Sequence, residues 1–255
     1  MRNVIFIAVL LAFITACKSD TAQSNESADE ATKAEPIESE LSIAGHWIND
    51  KYLAVLLSSQ SPRKAQEACE WCFLDIPPSA DLPMLVIVNY HEAIQYHLAL
   101  SDSAVYTILP NGHNAPEPQF NAIVSQAADK INLGDQTFIR AQCAKEENTF
   151  KILEYYLFQG NYTTESGKEV EFTSSGEIKG LDDFTAYNPF IDYFDMGRDV
   201  DQVSLKNSNE TWTDYAFRFK QNKLQILALE CKSRNQFGNC EEVKFGEVVY
   251  TLRKK

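Results

Sequence analysis

Positive charge is scarce in this chain. It carries 23 Lys and Arg against 36 Asp and Glu, a net charge of −13. Nucleic-acid affinity is dominated by Lys and Arg on phosphates, so no nucleic-acid partner is expected. Direct adhesion of the protein body to anionic headgroups is disfavoured for the same reason. Histidine is equally thin, with only His46, His91, His97 and His113. His91 and His97 share strand parity, but at about 3.3 Å per residue a straight strand holds them roughly 20 Å apart, too far to share one metal. No His-Glu-x-x-His, Gly-x-Ser-x-Gly or phosphate-binding glycine loop occurs. The densest acidic stretch is Asp192, Asp195, Asp199 and Asp201 around Gly197. Read as a calcium loop from Asp192, its third, fifth and twelfth positions are Phe194, Met196 and Val203, which bring no side-chain oxygen. Neither a metal nor an organic cofactor is expected, and no catalytic residue is nominated.

What the chain does have begins at its start. Arg2 is followed by an apolar run, Val4 to Ile14, and then by Thr15, Ala16 and Cys17. A charged start, a short apolar core and small residues before the cut describe a secretory signal over residues 1–16. The run falls short of the roughly 20 apolar residues of a membrane-spanning helix, and nothing after Cys17 approaches one. Ile14-Thr15-Ala16-Cys17 resembles the lipobox of bacterial lipoproteins. That resemblance implies a diacylglyceryl group on the Cys17 thiol, removal of the leader, and a fatty acyl (palmitate-type) chain on the new amino terminus. Two or more chains hold a protein firmly at a bilayer, whereas one binds only marginally. Lys18 stands where an aspartate would resemble an inner-membrane retention signal, so the expected location is the outer membrane or cell surface.

Residues 17–44 read as an acidic tether. Lys18 to Ala44 has no glycine and no aromatic residue, and its carboxylates far outnumber Lys18 and Lys33. Such a segment cannot offset the entropy cost of ordering, and its like charges extend it. Residues 45–255 hold almost all the Phe, Tyr and Trp and are long enough for one large β-rich domain.

Five cysteines follow Cys17, and export favours disulfides among them. Cys231 and Cys240 flank a polar loop between two β-like runs, and a bridge closing that hairpin is the first choice. Cys69-Glu70-Trp71-Cys72 has thiol-redox spacing, but it follows a helical stretch and precedes Pro77-Pro78. A redox site needs the first thiol at a helix start. The expected pairing therefore joins one of Cys69 and Cys72 to Cys143, leaving one thiol over.

The rest of the pattern is β. A short helical segment, Lys51 to Ala68, follows the first strand, with Ser61 as cap and Pro62 at the first helical position. Beyond it, Leu85–Val88, Ala93–Leu100, Val105–Leu109, Ile131–Leu133 and Thr137–Ile139 read as strands. The second half repeats the theme at Gly160–Thr163, Val170–Thr173, Tyr215–Lys220, Leu224–Leu229 and Val248–Leu252, with turns at Ser166-Gly167 and Gln221-Asn222. Short strands joined by polar turns predict a mainly β fold, an antiparallel barrel or sandwich. Gly45-x-Trp47 and Gly160-x-Tyr162 raise the prospect of two related halves.

Gly45-His46-Trp47 opening an all-β region that ends in Tyr250-Thr251-Leu252-Arg253 resembles the lipocalin-like (calycin) barrels. The resemblance implies that Trp47 closes one end of a barrel, that Arg253 packs over it, and that the cup holds a small apolar ligand. The chain is longer than a simple lipocalin and carries the helical insert. Three functional expectations follow. The first is a non-enzymatic envelope protein binding a small apolar molecule or another envelope component. The second is an interaction or assembly protein that works by its surface. The third is an enzyme, through the Cys69 and Cys72 thiols or as a hydrolase with a dispersed site.

Overall fold

The computed structural model describes residues 43–78, 84–89, 92–102, 105–110, 122–124, 129–142, 145–146, 149–193, 199–238 and 240–255, all within one compact unit, Leu41–Lys255. The chain is mainly β, and its strands build two antiparallel meanders of eight strands each. In the first, β1 (Gly45–Asn49) is followed by helices α1 (Asp50–Ser59) and α2 (Pro62–Gln66). Then come β2 (Phe73–Ile76), β3 (Met84–Asn89), β4 (Glu92–Asp102), β5 (Val105–Pro110), β6 (Ala122–Val124), β7 (Lys130–Leu133) and β8 (Gln136–Arg140). Each strand pairs with the next, and β1 pairs with β8 to close the barrel.

A short ladder of β9 (Lys145–Glu146) and β10 (Thr149–Phe150) and a π-helical turn, Glu154–Phe158, lead into the second meander. It comprises β11 (Gly160–Thr163), β12 (Glu169–Phe172), β13 (Ile178–Lys179), β14 (Phe184–Pro189), β15 (Gln202–Asn207), β16 (Trp212–Lys220), β17 (Lys223–Arg234) and β18 (Cys240–Lys254). Here β11 pairs with β18, again first strand to last. The two remaining edges, β13 and β14, meet at a bridge between Glu177 and Ala186 and a 2.7 Å bond from the Tyr187 N–H to the Gly176 carbonyl. The second sheet therefore also wraps into a barrel.

Local chemistry explains the elements. Alternation on β4 buries Tyr96 and Leu98 and leaves Gln95 exposed, the period-two signal of a strand with one dry face. Gln221-Asn222 forms the two-residue turn between β16 and β17 with φ of 50° and 56°, the primed geometry whose twist suits a hairpin. The helices start where the sequence predicts. Asn49, 1% exposed, accepts from the Lys51 and Tyr52 N–H groups, and the Ser61 hydroxyl accepts from Lys64 N–H. Asp201 adds a cap from far along the chain, its Oδ1 accepting from Arg63 N–H at 3.0 Å.

Three clusters of buried side chains result. One fills the first barrel: Trp47, Leu74, Ile76, Tyr96, Leu98, Tyr106, Ile108, Ile131, Leu133 and Phe138, with Ile43 at its end. The largest runs from Ile48, Tyr52, Leu56 and Phe73, on α1 and the outside of the first barrel, to the interior of the second. A small one, Val200, Ala216 and Leu227, packs on the second barrel's outer face. Ile43 is 5% exposed and the Ala44 carbonyl accepts from Arg140, so the packed body starts before Gly45, inside the stretch read as tether. The signal, Cys17 and the rest of the tether lie outside the described residues.

Candidate functional site

A ligand cup needs an opening lined by side chains that touch solvent or empty space. The described interior residues of the first barrel are all 8% exposed or less, and Trp47 and Phe138 show no exposure at all. The second barrel is packed by a ring cluster around Phe158. Its ring centroid lies 6.1 Å from Phe172, 5.3 Å from Tyr187, 4.9 Å from Phe217 and 5.7 Å from Phe219. Tyr162 and Phe172 meet edge-on at 5.4 Å. A cavity of ligand size would expose its lining, and apart from the partly buried Phe219 these side chains have almost no exposure. Both interiors are filled where the structure describes them, the first of the two outcomes open to an eight-stranded barrel.

The end closures are built twice on one plan. At the first barrel, the Trp47 indole N–H donates to the Ile43 carbonyl four residues back, at 3.1 Å. The Arg140 guanidinium covers the ring at 4.4 Å, and Ala141 N–H bonds the His46 carbonyl at 2.9 Å. At the second, the Tyr162 hydroxyl donates to the Phe158 carbonyl four residues back, at 2.7 Å. Lys254 Nζ stands 5.8 Å from that ring, and Lys255 N–H bonds the Asn161 carbonyl at 2.9 Å. The glycine two residues before each ring has φ of 136° and 146°, a region closed to side-chain-bearing residues. A Cβ at Gly45 would meet Arg140 Nη1 at 2.7 Å, and one at Gly160 would meet Lys254 Cε at 3.0 Å. Gly45 and Trp47 are thus part of a barrel end, but Arg253 is not their cation. It pairs across to Thr163 in the second barrel, because each half closes on its own last strand. The two halves repeat this closure.

The cysteines are paired locally. Cys231 and Cys240 are bonded across β17 and β18, with Cα atoms 5.6 Å apart. Cys69 and Cys72 are bonded to each other, with Cα atoms 5.4 Å apart, and not to Cys143. The turn after α2 folds the two thiols back together, satisfying both without a distant partner. Cys143, the cysteine beyond these pairs, lies outside the described residues. Cys72 is fully buried and its carbonyl accepts from Asn49 N–H at 2.9 Å. The pair follows the carboxyl end of α2, where the helix dipole opposes thiolate formation rather than favouring it. That geometry describes a staple between the helices and β2.

The acidic stretch is divided among structural tasks. Asp199 pairs with Lys232 at 3.2 Å and Asp201 caps α2, while Asp195 and Gly197 lie outside the described residues. Burial pushes the Asp201 carboxyl up, against the bonds it accepts near Ser61 and Arg63. Among the described residues no three His, Cys, Asp or Glu side chains come together as a metal site. His46 lies 2.9 Å from Asp75 Oδ1 on the neighbouring strand; His91 and His113 lie outside the described residues. Buried Glu154 pairs with Lys151 at 3.2 Å beside Tyr187. Burial, and after it the Glu154 charge, raises the Tyr187 hydroxyl far above its ordinary range.

The outer surface of the second half is more varied. β17 and β18 run past their neighbours as a two-stranded arm, closed by Cys231–Cys240, with Phe237 at its tip 79% exposed. Hollows of about 250, 410 and 470 Å³ open on the outside of this barrel. The largest is bordered by Trp212, which is 48% exposed. No protein-family model, no curated protein and no solved structure matches the chain.

Arg140 and Lys254 were the functional positions hardest to see from sequence. The signal was present, since Trp47 to Tyr162 and Arg140 to Lys254 are offset by the same distance to within one residue. It becomes legible only once the repeat is accepted.

Proposed function

We propose that the protein is a non-enzymatic, lipid-anchored component of the bacterial cell envelope that binds another envelope component through the outside of its two barrels. The observation that carries this reading is the packing of both barrel interiors, which leaves the outer surface as the binding-competent part of the described body. The disulfide-closed arm and, away from it, the hollows supply that surface with relief and with exposed aromatic groups. The attachment rests on Ile14-Thr15-Ala16-Cys17, with acyl chains on Cys17 and the acidic tether as spacer.

Two measurements test the two parts. Metabolic labelling with palmitate is expected to mark the wild-type chain and to vanish in Cys17→Ser; a label retained by that variant would remove the anchor. Titration with a fluorescent fatty acid is expected to give no saturable uptake. Stoichiometric, saturable uptake would return the protein to the apolar-ligand class.

A further inference from the structure

We propose that the outer face of the second barrel holds a binding site for a single phosphate group, built on Lys223 and Arg253. The register places Lys220 opposite Lys223, Lys223 opposite Arg253, and Arg253 opposite Thr163, so three cations occupy consecutive positions across β16, β17 and β18. Directly opposed like charges destabilise a sheet. Six other lysines of this half are neutralised: Lys151, Lys179, Lys206, Lys232, Lys244 and Lys255 each meet a carboxylate. Lys220, Lys223 and Arg253 make no side-chain hydrogen bond or ion pair among the described residues, in a chain whose acids outnumber its bases. An acidic protein that keeps an uncompensated cationic row has a counter-charge missing from the row.

The same face supplies the shape. A hollow of about 410 Å³ is lined by Lys223 and Arg253 with the hydroxyl-bearing Thr163, Thr164 and Thr251, and with Glu165 on its border. A guanidinium offers parallel N–H donors to two phosphate oxygens, an ammonium adds a point charge, and threonine hydroxyls donate to the third oxygen. Two cations suit a dianion, and Glu165 on the border opposes a longer polyanion. The hollow fits one phosphate monoester, whether free or carried on a lipid headgroup. This inference stands apart from the anchor and from the packed interiors, and either can fail without it.

The test uses the full chain in a neutral detergent at constant ionic strength. Inorganic phosphate is expected to raise the melting temperature, and Lys223→Gln and Arg253→Gln are each expected to weaken phosphate binding at least tenfold by calorimetry. In phosphate-free, low-salt buffer the same substitutions are expected to raise the melting temperature, because they relieve the opposed charges; a purely structural role predicts a fall. Lys179→Gln, which removes a neutralised lysine, serves as the control and leaves binding unchanged. The lipid source is separated by flotation of the full chain carrying Cys17→Ser with phosphatidylcholine vesicles, with and without phosphatidic acid. Co-flotation only with phosphatidic acid, lost in Arg253→Gln, assigns the site to a headgroup; calorimetric binding without co-flotation assigns it to a free monoester. No phosphate response in either arm, or variants indistinguishable from wild type in both, overturns the proposal.

Discussion

The first barrel sets a guanidinium 4.4 Å above an indole, and the second sets an ammonium 5.8 Å from a phenol ring. Around these different groups the backbone is the same: a positive-φ glycine two residues before the ring, a bond to the carbonyl four residues back, and a main-chain bond from the end of the last strand. The ladder between first and last strand fixes the closure, and any flat ring with a cation near it can fill the end. What each barrel adds is its own. The first inserts two helices between β1 and β2, and their apolar side joins the large cluster. The second extends β17 and β18 into an arm and gathers its interior around Phe158.

Four experiments break or sharpen this comparison. Phe158→Ala is expected to cost about 3–5 kcal/mol in denaturant titration, at the upper end of that range, because it removes four ring contacts as well as buried area. Phe138→Ala in the first barrel, equally buried, is expected to cost less; equal losses would refute the dependence of the second barrel on its ring cluster.

Tyr162→Phe removes one hydroxyl and leaves the Phe158 carbonyl without its partner, an expected loss of about 1–3 kcal/mol. It also carries a pH signature. Burial raises the Tyr162 and Tyr187 hydroxyls far above the value of about 10 that holds in the unfolded chain. The folded state then keeps protons that the unfolded state releases, so their contribution is intact below about pH 10 and is lost as pH rises beyond it. The alkaline limb of the stability curve should be shallower in Tyr162→Phe than in wild type. An unchanged limb would show that Tyr162 is not the buried group that titrates.

Exchanging the cations tests the closures directly. Arg140→Lys is expected to cost about 0.5–1 kcal/mol, since a planar, weakly hydrated guanidinium is replaced by an ammonium that prefers water. Lys254→Arg is expected to be neutral or stabilising, read as a shift in melting temperature. The smallest global effect belongs to the arm. Cys231→Ser with Cys240→Ser should leave the unfolding midpoint nearly unchanged while amide exchange in residues 233–238 quickens, because beyond the Lys232–Asp199 pair little but the two strands themselves holds that end of the arm.

Much of the architecture was legible in the sequence for a physical reason. Strands with one dry face must alternate, as Tyr96, Leu98, Phe217 and Phe219 do, and helix starts must satisfy their N–H groups, as Ser61 with Pro62 does. Those constraints act between neighbours in the chain. The pairing of Cys231 with Cys240 was legible in the same way, because one hairpin brings them together. Cys69 with Cys72 was misjudged, since spacing alone does not say how the turn after α2 folds back. Arg253 was assigned to Trp47 because it ends the chain, although the barrel around Trp47 closes earlier, at Arg140. The π-helical turn at Glu154–Phe158 and the Asp201 cap on α2 carried no sequence pattern at all.

The sequence by itself determined the β character, the turns, the helical insert, the acid excess and the lipobox-like start, because each depends on residues adjacent along the chain. Only the tertiary structure decided that there are two barrels, which cation covers which ring, that the described interior side chains are packed, and that Lys220, Lys223 and Arg253 stand in one row. Those facts depend on strand register and closure, which set distances between residues far apart in the chain, and periodicity along a single strand holds no record of its partner.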